Sequence, residues 1–218
     1  MKLTIYRTLT LFLFLAQVQS VPLDLATKDA NDFRRHSHWV DIWTAMPQLT
    51  EPYNLPPTPF NSSDTIFANT TIRQTFQVTQ NADKIRLRLS NAFGIDDLAV
   101  SKVTIGLPLH QQAGISALEP GTMKELSFSG ESGIIIPNGG LAVSDPIDFS
   151  INVQSNLMVS IYLEQGQTGG AITGHPGSRV TSWMSFGDWT DAGNLTDSSV
   201  TAVDHWYGIL EVSVTMSN

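Results

Sequence analysis

The 218-residue chain carries 12 Lys and Arg against 20 Asp and Glu, a formal net charge of −8, and is 41% hydrophobic with no cysteine. That acidic balance excludes nucleic acid and anionic membrane surfaces as partners, since both select a basic face. Lack of cysteine excludes disulfides and thiolate metal sites, and the length suffices for one domain whose core needs no covalent staple.

Lys2 and Arg7 precede an apolar stretch at 9–16 (LTLFLFLA) that is too short to span a bilayer as a helix, and Val18-Gln19-Ser20 closes it with compact residues. The pattern predicts a signal peptide over 1–20, hence a secreted, extracellular protein with no membrane anchor. Removing Lys2 and Arg7 with it takes the net charge from −8 to −10. Residues 21–38 are polar and without period, predicting a flexible lead-in. Three N-x-S/T sequons, at Asn61, Asn69 and Asn194, predict a glycoprotein with those asparagines at the surface.

Structure is expected to begin at Trp39. Five prolines between 39 and 60 exclude a long helix and predict a strand followed by extended chain packed across a surface. Thereafter the period is two. Ile72, Phe76 and Val78 share one strand face, with Arg73, Thr75 and Gln77 on the other and Gln74 interrupting the apolar side. Ile85, Leu87 and Leu89 alternate with Lys84, Arg86 and Arg88 in a half-buried strand. Further strands are predicted at 100–107, 125–128, 133–136, 141–144, 147–151, 157–163, 180–186 and 205–214, separated by turns such as 91–94 (NAFG), 137–140 (PNGG) and 169–170 (GG). Many short strands divided by glycine and proline, with no 3.6-residue period and no fixed repeat, predict an all-β fold, a β-sandwich or jelly roll, over 39–214.

A serine-type hydrolase needs a nucleophile, a base and donors for the oxyanion. In the loop at 174–179 (GHPGSR), His175 and Ser178 stand three apart, and Asp188 or Asp204 could orient the histidine. Such coincidences are common in loops, and a structural role for His175 and Arg179 in turning the chain outweighs a catalytic one. Asp204-His205-Trp206-Tyr207 reads as a polar strand start followed by core aromatics, ahead of an acid/base pair beside a platform. The acids at 96–97 and 145–148 lack the spacing of a calcium loop and read as solvated turns. Five tryptophans, with Tyr53, Tyr162 and Tyr207, raise polysaccharide binding as a question, with burial in the core the stronger expectation. No metal-binding histidine pair, phosphate loop or dinucleotide fingerprint is present, so neither metal nor cofactor is expected.

Five strings occur in a telling order: WVDIWTAMP at 39–47, IRQT at 72–75, RLRLSNAFG at 86–94, VSDP at 143–146 and HPGSR at 175–179. Over about residues 38–214 the chain resembles the N-terminal β-domain of secreted two-domain SGNH (GDSL-type) esterases of fungi and actinobacteria. The resemblance implies a β-domain leading into an α/β catalytic domain with Gly-Asp-Ser, Gly-x-Asn-Asp and Asp-x-x-His blocks, which together hydrolyse esters of acylated substrates. None of those blocks occurs here; the nearest, Gly187-Asp188-Trp189, has tryptophan where serine is required. No catalytic residue is therefore assigned, and the chain reads as a family member that stops before its hydrolase half, with 215–218 as the start of a linker. The expected role is a non-catalytic accessory domain, covalently linked to a hydrolase domain in a longer product; the alternative is a free-standing glycan-binding or host-interaction protein. Asn91, Phe93, His175, Ser178 and Arg179 are the candidate interaction surface, provided their two loops meet in space.

Overall fold

Period-two alternation lets each strand bury one row of side chains, and here the rows of two antiparallel sheets meet in one core. The computed structural model describes residues 38–216 apart from Ser63. In chain order the strands are β1 (His38–Thr44), β2 (Gln48–Leu49), β3 (Thr65–Ile66), β4 (Thr70–Gln77), β5 (Ala82–Ser90) and β6 (Leu98–Val100). Next come β7 (Lys102–Gly106), β8 (Lys124–Leu126), β9 (Ile134–Ile136), β10 (Leu141–Val143), β11 (Ile147–Ile151) and β12 (Asn156–Leu163). The last are β13 (Gln167–Thr168), β14 (Thr173–His175), β15 (Ser182–Phe186), β16 (Thr201–Val203), β17 (Trp206–Tyr207) and β18 (Ile209–Met216). Helical structure among the described residues is confined to single 3-10 turns at Pro52–Asn54, Leu109–Gln111 and Pro176–Ser178. The all-β, sandwich-like expectation is met. The expected signal peptide and all but the last residue of the expected lead-in lie outside the described residues.

One sheet runs β1-β18-β5-β10, with β11 also pairing β5; the other runs β16-β15-β4-β12-β7-β8. Ile85, Leu87 and Leu89 of β5 face the core from the first, and Ile72 and Phe76 of β4 with Leu157, Val159 and Ile161 of β12 face it from the second. Gln74 sits in this second row, 1% exposed. Its amide, oriented to satisfy its surroundings, donates to Tyr207 O and accepts from Tyr207 N–H at 2.7 Å. The polar interruption in the apolar row is a plug for the backbone of β17.

The outer face of β4 is covered rather than wet. Thr71 Oγ1 donates to Gly187 O and accepts from Trp189 N–H, while Thr75 Oγ1 accepts from Gly114 N–H at 2.7 Å. Between them lies Arg73, 0% exposed, whose Nε donates to Ser160 Oγ at 2.8 Å. Its Nη1 donates to Ser116 O, and its Nη2 to the carbonyls of Trp189 and Ala192. Alternate residues of one strand thus tie down two long loops, and no carboxylate forms an ion pair with the guanidinium among the described residues. Burial lowers the Arg73 pKa to about 10, so it stays charged at neutral pH.

Several boundaries depart from the periodicity. The expected strand at 100–107 divides at Ser101: β6 pairs β9, and β7 enters the six-stranded sheet. The expected strand at 205–214 divides at Gly208, whose φ of +73° turns the chain from β17 into β18. Glycine adopts that conformation without steric cost. β18 then continues through Met216, which pairs with His38, so residues 215 and 216 belong to the sheet and not to a linker, and His38 to β1 and not to a lead-in.

Candidate functional site

The loop after β5 is built around Asn91, whose side chain is 0% exposed. Its Nδ2 donates to the carbonyls of Asp96, Ile136 and Pro137, at 2.8, 3.1 and 3.3 Å, and its Oδ1 accepts from Gln167 Nε2 at 2.8 Å. A Cβ on Gly94 would stand 2.0 Å from Asn91 Oδ1, which is why the fourth position of NAFG carries no side chain. Asn91 is an interior strut, not part of a surface. The group the loop presents is Phe93, 39% exposed, while the Phe93 N–H donates to Thr173 Oγ1 at 3.0 Å.

Thr173 opens β14, and the 3-10 turn Pro176–Ser178 follows that strand directly, so both candidate loops meet on one element. β14 lies between β2 and β17, pairing Thr173 with Leu49 and His175 with Trp206. Gly174 is sterically required, since a Cβ would come within 2.3 Å of Thr50 Oγ1. Around this three-stranded sheet four buried side-chain atoms have no hydrogen-bond partner among the described residues: Thr50 Oγ1, His175 Nδ1, Ser178 Oγ and Trp206 Nε1. The remaining one among the described residues, Arg86 Nε, is on the five-stranded sheet, where its guanidinium lies 4.2 Å from the Trp39 ring centroid. An orphaned buried polar atom costs about 1–3 kcal/mol, so four in one small sheet mark a locally uncompensated region. On the same sheet Leu49 is about half exposed, at 47%.

The residue types of a triad are present here but not its geometry. His175 Nδ1 and Ser178 Oγ do not bond each other, and the His175 ring instead packs on Trp206, centroids 5.8 Å apart. Asp188 Oδ1 accepts from the N–H and hydroxyl of Thr190, and Asp204 Oδ1 from Thr181 Oγ1. Neither acid is hydrogen-bonded to His175.

The same turn forms one wall of an open cleft of about 650 Å³, lined by Pro176, Gly177, Arg179, Val203, Asp204 and His205 with Asn54 opposite. His205 Nδ1 lies 2.9 Å from Pro176 O; a backbone carbonyl can only accept, so Nδ1 carries the proton and Nε2 keeps its lone pair in the neutral ring. Arg179 is exposed, held at φ +53°, and has no hydrogen bond or ion pair among the described residues. Asn54 belongs to the 3-10 turn Pro52–Asn54, fixed by Tyr207 Oη donating to Asn54 O at 2.9 Å. Burial raises the pKa of the Tyr207 phenol, which remains a donor. Tyr53 on that turn is 83% exposed. A second space, about 20 Å³, lies between the sheets against Phe67, Leu89, Ile161 and Tyr207; it has room for about one water and offers no ligand site.

The remaining candidates fall as follows. Asn69 and Asn194 are exposed and Asn61 half-buried; Asn69 Oδ1 accepts from Tyr162 Oη and Asn194 Oδ1 from Ser116 Oγ. Asp145 accepts from Ser127 Oγ and from the amides of Ser129 and Gly130, and Asp148 pairs with Lys84 at 2.7 Å. Among the described residues no group of three or more His, Asp or Glu could hold a metal, and no helix is long and apolar enough to cross a membrane. Trp206 is buried and the other four tryptophans are half-buried, so among the described residues the most exposed large aromatic ring is that of Tyr53. No protein-family model matches the chain, and no curated protein matches it.

Proposed function

We propose that this is a secreted, non-catalytic β-sandwich module that works beside an SGNH-type ester hydrolase domain and docks on it through the end of the sandwich formed by β2, β14 and the 91–94 loop. The observation that carries the reading is the placement of four orphaned polar atoms in and around one small sheet, with the exposed apolar side chains of Leu49 on that sheet and of Phe93 on the loop bonded to its Thr173. Apolar side chains are costly to leave against water, and exposed ones bordered by polar groups are what an interface core with a polar rim requires. The absence of a hydrogen bond between Ser178 and His175 supports the non-catalytic part, and the five-string resemblance supports the choice of partner.

The test has two arms. Purified chain is assayed with p-nitrophenyl acetate, where no turnover is expected; turnover abolished by Ser178→Ala would sink the non-catalytic reading. A full-length transcript is then read across the codon for Asn218, and any Gly-Asp-Ser domain it encodes is expressed separately and titrated with this chain. Binding weakened about tenfold or more by Phe93→Glu is expected; a hydrolase domain that ignores the chain, or a transcript without one, overturns the docking partner.

A further inference from the structure

We infer that Arg34-Arg35 is a processing site: a secretory endoprotease specific for paired basic residues cuts the Arg35–His36 bond, and the working protein begins at His36. The inference rests on the reading that the chain is secreted through a eukaryotic pathway. Of the 12 Lys and Arg residues, only Arg34 and Arg35 are adjacent in sequence. A protease of this class holds the two side chains before the scissile bond in adjoining carboxylate-lined subsites, and a guanidinium fills each with a charge-assisted, forked fit. Hydrolysis adds one water across the bond, leaving a carboxylate on Arg35 and a free amine on His36.

The placement of the pair matters as much as its charge. Arg35 stands three residues ahead of His38, where β1 opens, and every described strand lies between His38 and Met216, so the cut severs none of them. His38 is exposed, on the edge strand of the five-stranded sheet, and the first core side chain after it is Ile42. The residues that follow the scissile bond can therefore leave the sheet edge for a protease cleft without uncovering the core.

The remaining bases of the sandwich do not suit the same enzyme. Arg73 is 0% exposed, and Lys84, Arg86 and Arg88 alternate with Ile85 and Leu87 along β5. Lys102 and Lys124 lie in β7 and β8, preceded by Ser101 and Met123. Arg179 is exposed in a loop, yet Ser178 precedes it, so the second subsite goes unfilled. Residues 21–35 carry Asp24, Asp29 and Asp32 against Lys28, Arg34 and Arg35, so their loss leaves the net charge unchanged. Processing thus renews the N-terminus beside the β1–β18 corner and leaves the electrostatics of the domain as they were.

The test has one arm for the bond and one for the pathway. The purified chain, Val21 to Asn218, is incubated with a soluble kexin-type endoprotease, and the products are read by intact mass and N-terminal sequencing. One cut is expected, releasing 21–35 from a product that begins at His36 and melts as the uncut chain does. Arg35→Ala should slow the cut at least about a hundredfold, while Arg34→Lys, which keeps the pair, should retain it. No cut after Arg35, or cuts within 38–216 at a comparable rate, would overturn the site. The full coding sequence is then expressed in a eukaryotic host with and without its own kexin-type protease. Secreted protein should begin at His36 in the first and at Val21 in the second. Val21 from both, or His36 from both, overturns the processing and leaves secretion standing; absence from the medium of either host overturns the secretion reading and the processing with it.

Discussion

Replacing Arg73 by methionine should open the two loops that cover the six-stranded sheet and cost about 3–5 kcal/mol, the range for breaking a buried charged network from one side. Two effects oppose each other. Methionine removes the cost of burying a guanidinium that is 0% exposed. It also leaves Ser160 Oγ and the carbonyls of Ser116, Trp189 and Ala192 without their donor. Each abandoned acceptor costs about 1–3 kcal/mol if it stays buried, and relaxation of the loops toward water recovers part of that, which brings the net to the lower end of the sum. For a domain of this size about 3 kcal/mol lowers the melting temperature by about 6–12 °C. Arg73→Lys should lie between, because one ammonium cannot span acceptors on Ser160 and on both loops. Urea denaturation followed by circular dichroism gives the stability, and amide exchange gives its location. A methionine variant within about 0.5 kcal/mol of wild type, with amides at 112–118 and 187–195 protected as before, would refute the clamp.

Gln74→Leu removes both hydrogen bonds to the backbone of Tyr207 and should cost about 2–4 kcal/mol by denaturant titration, more than its gain in hydrophobicity returns. Gly94→Ala should be severely destabilising, and Asn91→Ala in the same background should relieve part of that loss, a coupling that a double-mutant cycle detects. The Asp145 carboxyl is held below its ordinary 3.8 first by the Ser127 hydroxyl and then by the Gly130 and Ser129 amides. A depressed folded pKa gives stability that is complete above 3.8 and lost as the pH falls through the folded value. Asp145→Asn should therefore melt below wild type at pH 6, the gap closing under about pH 4. Mass spectrometry of the chain expressed through a eukaryotic secretory pathway should find glycan on Asn69 and Asn194, the two exposed sequon asparagines.

Strand positions were legible because each strand buries one row of side chains, as in residues 84–89, and because glycine and proline mark the turns. What periodicity could not say is what covers the polar row. Thr71, Arg73 and Thr75 alternate like a wet face, yet all three are buried under loops that come from positions 39 to 119 residues away. The NAFG string is visible in the sequence, but of the two residues expected at its surface only Phe93 is exposed, while Asn91 is internal. The glycine three residues after Asn91 was the available clue, since a residue with no side chain beside a multidentate amide suggests that the amide points inward. Asn54 and His205 line one cleft because Tyr207 Oη holds Asn54 O, a contact across 153 residues that no local pattern encodes.

The pairing of His38 with Met216 places the outer ends of β1 and β18 at one corner of the five-stranded sheet, with β1 as its edge. Tension applied between these two ends would peel β1 away one hydrogen-bonded pair at a time, like a zipper, instead of loading the whole ladder in shear. The sandwich should accordingly be mechanically soft along its own chain axis, however stable it is to heat. A pull between Asn69 and Asn194, which bypasses that corner, should meet a higher unfolding force in single-molecule stretching.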